Sequence, residues 1–323
     1  MKAPIFIVGE GRSGTTALRR NLAEHPNIWA VPKESYVFVK QWPQANSYYQ
    51  SKNLNDLTVA LAIGMNRVGQ SLKKRGSAQY TKDVLTGGKL DENIEEFLSE
   101  FRNSEEFKEI QDANHLEVFD AICRFNIEKA GATRFVEKTP FHLFSLEDIS
   151  ARYPDAQVIG IYRDPRAVIL SWMKRKNSSK SLLSAAFSWN RAARVMLAKQ
   201  QDRNFKLLKY EDLISQPETT LRDLTDFLGE EFSPALLKEQ KANSSFDEDR
   251  GKTGFKESSL DRWKTILSPM QIALIDSVCG KYYGELAIEP ALNKASSFLG
   301  LYYIWELCKL NLLKVLKLLR RGN

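Results

Sequence analysis

A strand, a glycine turn and a helix follow one another in the stretch Pro4 to Pro26, PIFIVGEGRSGTTALRRNLAEHP. No other part of the chain restricts the fold as much. Ile5 to Val8 is a short apolar run closed by Gly9, the pattern of a strand buried in a parallel sheet. Gly9, Gly11 and Gly14 turn the chain, and Leu18 and Leu22 then recur at helical spacing. Such a loop turns free backbone N–H groups toward a helix N-terminus, where the helix dipole also favours negative charge. The stretch is built to hold an anion, and a phosphate fits best.

Gly9-x-x-x-x-Gly14 has the spacing of a phosphate-binding P-loop, yet Thr15-Thr16 follows where a nucleotide triphosphatase carries Lys-Ser or Lys-Thr. The nearby long cation is Arg12, inside the loop. A sulfuryl group carries less charge than a phosphoryl group, so its transfer asks for less countercharge and suits a cradle without that lysine. Arg12-Ser13-Gly14-Thr15-Thr16, followed by Leu18, Leu22 and His25-Pro26, resembles the 5′-phosphosulfate loop of the sulfotransferases that use 3′-phosphoadenosine-5′-phosphosulfate (PAPS). The resemblance implies that Arg12, Ser13, Gly14, Thr15 and Thr16 hold the 5′ end of PAPS and that no metal is required.

The resemblance extends along the chain. Ile28 to Val31 reads as a second strand stopped by Pro32, and Lys33-Glu34 follows at its carboxyl end, where open α/β sheets place ligands. By its place after the His-Pro turn, Glu34 matches the family's general base; the competing reading is a surface Lys-Glu pair. Arg134 to Lys138 reads as another strand, and the string Lys138-Thr139-Pro140 resembles the one whose lysine stabilises charge on the departing oxygen. A strand-capping surface lysine is the alternative there. Val158 to Tyr162 is a β-branched central strand, after which Asp164 and Pro165 are a good N-cap and first helical residue. RDPRAVILSW resembles the family's 3′-phosphate motif and implies that Arg163 and Ser171 hold that phosphate; Trp172 reads as a core residue, with an adenine platform as the alternative. Phe205 to Tyr210 is a further strand, and Glu211 and Asp212 after it are given no catalytic role. Gly251 to Lys256 loosely resembles a glycine-lysine loop that closes over the 3′-phosphate, which makes Lys252 a candidate. His142 is the runner-up base.

Composition bounds the rest. The 323 residues, 43% hydrophobic, suffice for a sizeable core, and the net charge of +7 favours anionic partners. Nucleic acid is not expected among them. Cys123, Cys279 and Cys308 form neither a disulfide framework nor a metal-binding spacing and read as buried thiols. The first strand starts too early to leave room for a secretory signal, so a cytoplasmic enzyme is expected. Residues 40–131 are helical in pattern and are expected to line the acceptor cleft. Residues 297–323 are apolar but interrupted by Glu306, Lys309, Asn311, Lys314 and Lys317, with Tyr302, Tyr303 and Trp305 near one end. That pattern fits an amphipathic helix lying on an anionic membrane, and equally a helix packed on the domain or a homodimer seam.

The chain is therefore expected to be α/β, a P-loop-type doubly wound parallel sheet flanked by helices. Residues 1–296 form the catalytic domain with its helical insertion, and an amphipathic C-terminal helix follows. The expected reaction is sulfuryl transfer from PAPS to an acceptor hydroxyl on a saccharide, glycolipid or lipid-like molecule. A kinase-like phosphotransferase and a catalytically silent nucleotide-binding scaffold at the membrane are the rival readings.

Overall fold

The computed structural model describes residues 1–39, 53–65, 81, 84–85, 90–112, 114–175, 180–238, 257–291 and 299–319. The order is β1 (Ile5–Gly9), α1 (Thr15–Leu22), β2 (Ile28–Ala30), α2 (Leu54–Met65), α3 (Glu92–Arg102), α4 (Glu105–Lys108), α5 (His115–Lys129) and β3 (Arg134–Lys138). It continues with α6 (Leu146–Arg152), β4 (Gln157–Tyr162), α7 (Pro165–Lys174), α8 (Leu182–Lys199), β5 (Phe205–Lys209) and α9 (Tyr210–Ser215). The last helices are α10 (Pro217–Leu228), α11 (Ser258–Ile266), α12 (Pro269–Cys279) and α13 (Leu299–Leu319).

The strand order is β2-β3-β1-β4-β5. β3 pairs in parallel with β1, Ile5 opposite Val136, and with β2, Ile28 opposite Arg134. The strand after β1 lies to one side of it and β4 to the other, so the winding reverses at β1. Its carboxyl end is the switch point at which doubly wound sheets bind ligands, and the glycine loop begins there. β1 and β3 are buried along their whole length, which is why they do not show the alternation of a half-exposed strand.

The chain divides into two compact units. The first comprises Met1–Val8 and Leu18–Ile159. Its core joins the sheet to an aromatic cluster in which Phe6 packs edge-on against Phe38 and Phe135, each with ring centroids 6.0 Å apart. Phe38 meets the His142 ring at 5.5 Å. Edge-on pairs of this kind add about 0.5–1.5 kcal/mol each beyond area burial, and here they fasten the segment after β2 to the sheet. α2, α3 and α5 lie in the expected helical insertion, and Val59, Ala62, Ile63, Ile94 and Leu98 pack together as a separate core.

The second unit comprises Gly9–Ala17 and Gly160–Asn323. α8 is its spine, packed against α7 and α12, with Trp189 buried and donating its indole N–H to the Arg163 carbonyl at 2.9 Å. α7 starts as its sequence predicts: Asp164 accepts from the Arg166 amide at 2.8 Å and Pro165 opens the helix. Arg166 is buried, paired with Asp164 and stacked 4.1 Å from the ring centroid of Trp263, which belongs to the same packing. Of the cysteines, Cys123 and Cys279 are buried as expected, whereas Cys308 is exposed on α13. The buried-thiol reading fails there because an apolar helix face need not be a covered one.

Candidate active site

In the second unit the glycine loop is held tightly enough that side chains are excluded at two points. At Gly9, with φ +149°, a Cβ would stand 2.3 Å from the Ile161 carbonyl oxygen, and backbone cannot step aside. At Gly14, with φ +95°, it would stand 2.1 Å from the Tyr210 ring. Arg12 adopts φ +77° without being glycine, a strained conformation of the kind that gathers at functional sites. From there its Nε donates to Ser171 Oγ at 3.0 Å, which joins the loop to α7. Ser13 and Thr15 are buried, and Ser13 Oγ has no hydrogen-bond partner. Thr15 and Thr16 form the first turn of α1, whose leading N–H groups have no intrahelical acceptor.

Glu10, inside the loop, gave no signal in the sequence. It is buried, and its carboxylate accepts from Trp172 Nε1 at 3.1 Å, Lys180 Nζ at 2.9 Å and Ser188 Oγ at 2.8 Å. A buried carboxylate is tolerable only if it is matched, and Lys180 matches it. Trp172 is correspondingly not a core residue. It is half-buried, with Lys180 Nζ 4.2 Å and the Arg175 guanidinium 5.3 Å from its ring centroid.

Arg163 follows β4. Its guanidinium lies 4.4 Å from the Tyr210 ring centroid and donates to the Ser259 carbonyl at 2.7 Å, while its Nε is buried without a partner. Ser259 Oγ is likewise buried and unmatched. Glu211 braces this turn by accepting from the Asp164 amide at 3.0 Å, and burial raises its carboxyl above the ordinary value. Tyr210 therefore serves both Gly14 and Arg163, a role that its position at a strand end did not announce. Lys252 lies outside the described residues.

In the first unit, Glu34 and Lys138 come together from positions far apart in sequence. Lys138 Nζ donates to Glu34 Oε1, and the Tyr36 hydroxyl donates to Glu34 Oε2. The Lys138 side chain is 6% exposed and that of Glu34 32%, so the pair is open on the carboxylate side. Tyr36 has φ +57°, unusual for an aromatic residue, and its amide donates to Thr139 Oγ1 at 3.4 Å.

A fully buried network lies behind this pair. Glu137 Oε1 accepts from Ser35 N at 3.2 Å, Ser35 Oγ at 2.8 Å and Thr139 Oγ1 at 2.6 Å. Glu137 Oε2 meets His142 Nδ1 at 2.8 Å, and the Phe38 amide donates to His142 Nε2 at 3.3 Å. With Nε2 accepting, the imidazole is the neutral Nδ1–H tautomer. Burial pushes the Glu137 carboxyl up, but the His142 ring, the Thr139 hydroxyl and the Ser35 amide more than offset it and hold it below the ordinary Glu value. His142 was the runner-up base. It is fully buried with both nitrogens engaged, whereas the Glu34 carboxylate is partly exposed to solvent.

The profile described as "Sulfotransferase family" matches residues 4–234. A putative protein-tyrosine sulfotransferase of Caenorhabditis elegans is 28% identical over 200 residues, covering 55% of this chain and 76% of that one. Protein-tyrosine sulfotransferase 1 of Danio rerio is 26% identical over 244 residues, 73% of this chain and 56% of that one. Among solved structures, the sulfotransferase domain from the curacin biosynthetic pathway superposes with a TM-score of 0.57 at 21% identity, covering 90% of this chain and 99% of that one. At that identity the likeness shows the fold.

Proposed function

We propose, from the premise that this chain belongs to the sulfotransferase family, that it moves a sulfuryl group from PAPS to an acceptor hydroxyl with Glu34 as general base and Lys138 as the charge-stabilising cation. The observation that carries the assignment is the ion pair of these two residues, which the sequence singles out independently at the ends of two different strands. Bound PAPS supplies the sulfuryl group to be transferred.

The residues on the PAPS side suit such an anion. Ser13 Oγ, Arg163 Nε and Ser259 Oγ are buried polar atoms without partners, and an oxyanion with several acceptors is the kind of group that would satisfy them. Arg12, Ser13, Gly14, Thr15 and Thr16 hold the 5′ end and Arg163 and Ser171 the 3′-phosphate. Arg163, kept against the Tyr210 ring and fixed by Ser259, offers its remaining N–H groups without having to be ordered on binding.

On the acceptor side, one carboxylate oxygen of Glu34 accepts the proton of the incoming hydroxyl. That oxygen is freed when Lys138 or Tyr36 lets go of it. Lys138, released from Glu34, places its positive charge where negative charge develops as the bond breaks, the setting in which a fixed cation contributes most. Ser35 and Thr139, tied together through Glu137, keep the two residues on adjoining backbone fixed while the partners exchange.

The acceptor is a hydroxyl-bearing molecule. Relatives named as protein-tyrosine sulfotransferases bring a tyrosine peptide into the assay beside saccharide and lipid-linked alcohols. The test has two parts. Calorimetric titration with 3′-phosphoadenosine-5′-phosphate, ADP and ATP without magnesium is expected to give tight binding of the first alone; preference for ATP would return the chain to the kinase reading. Transfer from labelled PAPS to that acceptor panel is then measured for the wild type and Glu34→Gln.

A further inference from the structure

The C-terminal helix α13 is docked on one side only. Its inner face packs on α12 and α8 and includes Glu306, which is buried and paired with Lys309 of the same helix at 3.0 Å. The outer face carries Leu301, Ile304 and Trp305, which are 66%, 57% and 51% exposed, together with the exposed Cys308. These residues recur at helical spacing and form one stripe, whereas the other large apolar residues exposed among those described (Met1, Met173, Phe187 and Ile266) lie apart from one another in the sequence. In the sequence, Leu312, Val315 and Leu319 continue the same spacing. Charge follows a second pattern: after Glu306 the charged residues are Lys309, Lys314, Lys317, Arg320 and Arg321, and no Asp or Glu occurs among them.

We infer that this face of α13 binds the surface of an anionic lipid bilayer, with the helix lying in the plane of the interface. Trp305 suits that depth, since an indole has an apolar body and one polar N–H, and Lys309 lies 3.0 Å from its ring centroid, beside the apolar stripe and not within it. Among the described residues no helix is long and apolar enough to cross a membrane, so the geometry is that of a helix lying on a bilayer. The complementary charge selects the anionic surface over a second copy of the chain, whose own α13 would bring a further set of cations against this one.

The test is flotation of the full chain with vesicles of phosphatidylcholine alone and of phosphatidylcholine mixed with phosphatidylglycerol, at low and high salt. It does not depend on sulfuryl transfer. The wild type is expected to float with the mixed vesicles, and less so at high salt. Ile304→Glu/Trp305→Glu changes exposed side chains, so its melting temperature should match the wild type while its partitioning falls at least ten-fold. Lys314→Glu/Lys317→Glu is expected to lose about five-fold per basic residue with anionic vesicles and little with neutral ones. If the wild type stays behind with both vesicle types, or Ile304→Glu/Trp305→Glu floats as well as wild type, the inference is wrong. A wild-type dimer by light scattering that becomes monomeric in Ile304→Glu/Trp305→Glu, with no flotation of either, would assign the face to a second copy. Should that double variant fail to melt cooperatively, Trp305→Ala and the lysine variant give the same reading.

Discussion

Glu137→Gln tests the network behind the candidate active site, because no orientation of a carboxamide can satisfy it. If the amide nitrogen faces His142, two donors meet. Shifting the imidazole proton to Nε2 relieves that clash but sets Nε2–H against the Phe38 amide. If the amide instead turns round, its nitrogen faces the Ser35 N–H, which cannot reverse as a hydroxyl can. Every arrangement leaves a buried N–H unpaired and removes a charged acceptor. An unsatisfied buried donor costs about 1–3 kcal/mol, and a hydrogen bond to a charged group contributes about 1.5–3 kcal/mol, of which the neutral carboxamide oxygen keeps about half, so a loss of about 2–4 kcal/mol is expected. With about 2.1 cal/mol/K of unfolding entropy per residue over 323 residues, one cooperative transition would shift by about 3–6 °C. The pH dependence gives a sharper check. The folded Glu137 carboxyl lies below its unfolded value, so its stabilisation is fully present above about pH 4.3 and is lost as pH falls through the folded value. A carboxamide at this position does not titrate there, so the gap between wild type and variant should narrow as the pH drops below about 4. Urea unfolding at several pH values measures it. A gap below about 1 kcal/mol, or one that does not change with pH, would refute the reading of the network.

Glu34→Gln should lower kcat by about a hundred- to ten-thousand-fold while leaving affinity for 3′-phosphoadenosine-5′-phosphate nearly unchanged; undiminished turnover would remove Glu34 as the base. Arg163→Ala should weaken that nucleotide at least ten-fold in calorimetry and leave ADP unaffected, and an unchanged affinity would count against the 3′-phosphate assignment. Gly14→Ala puts a Cβ 2.1 Å from the Tyr210 ring at φ +95°, so nucleotide binding and melting temperature should both fall, and a variant that binds normally would show that the loop moves freely. In the folded protein a thiol reagent should label Cys308 and spare Cys123 and Cys279, which are buried with their thiols pushed up by desolvation. Rapid labelling of all three would contradict the core packing.

How much of this was legible in the sequence varies by element. β1, the glycine loop and α1 were readable because an apolar run, a glycine spacing and a helical period are local patterns, and each reports the backbone it produces. The start of α7 was readable for the same reason: an N-cap aspartate and a proline act within one turn. Glu34, Lys138, Arg163 and Ser171 became candidates through strings that resemble a family's motifs, since a place at a strand end does not by itself separate Glu34 from a surface glutamate.

Other features had no local signal. Glu10, Tyr210 and the Glu137–His142–Ser35 network depend on residues brought together from distant positions, and a buried carboxylate looks the same in sequence as a solvated one. Trp172 read as core because tryptophans usually are, and it proved half-buried because Glu10 and Lys180 hold its edge and face.

The sequence by itself determined the element types and the glycine loop, since those follow from dihedral preference, period and capping within a few residues. The tertiary structure alone decided which polar groups are matched. It pairs Lys138 with Glu34, buries His142 with both ring nitrogens engaged, and leaves Arg163 Nε and Ser13 Oγ unmatched. The physical reason is that hydrogen-bond satisfaction and burial are properties of position in space, and chain order does not encode them residue by residue.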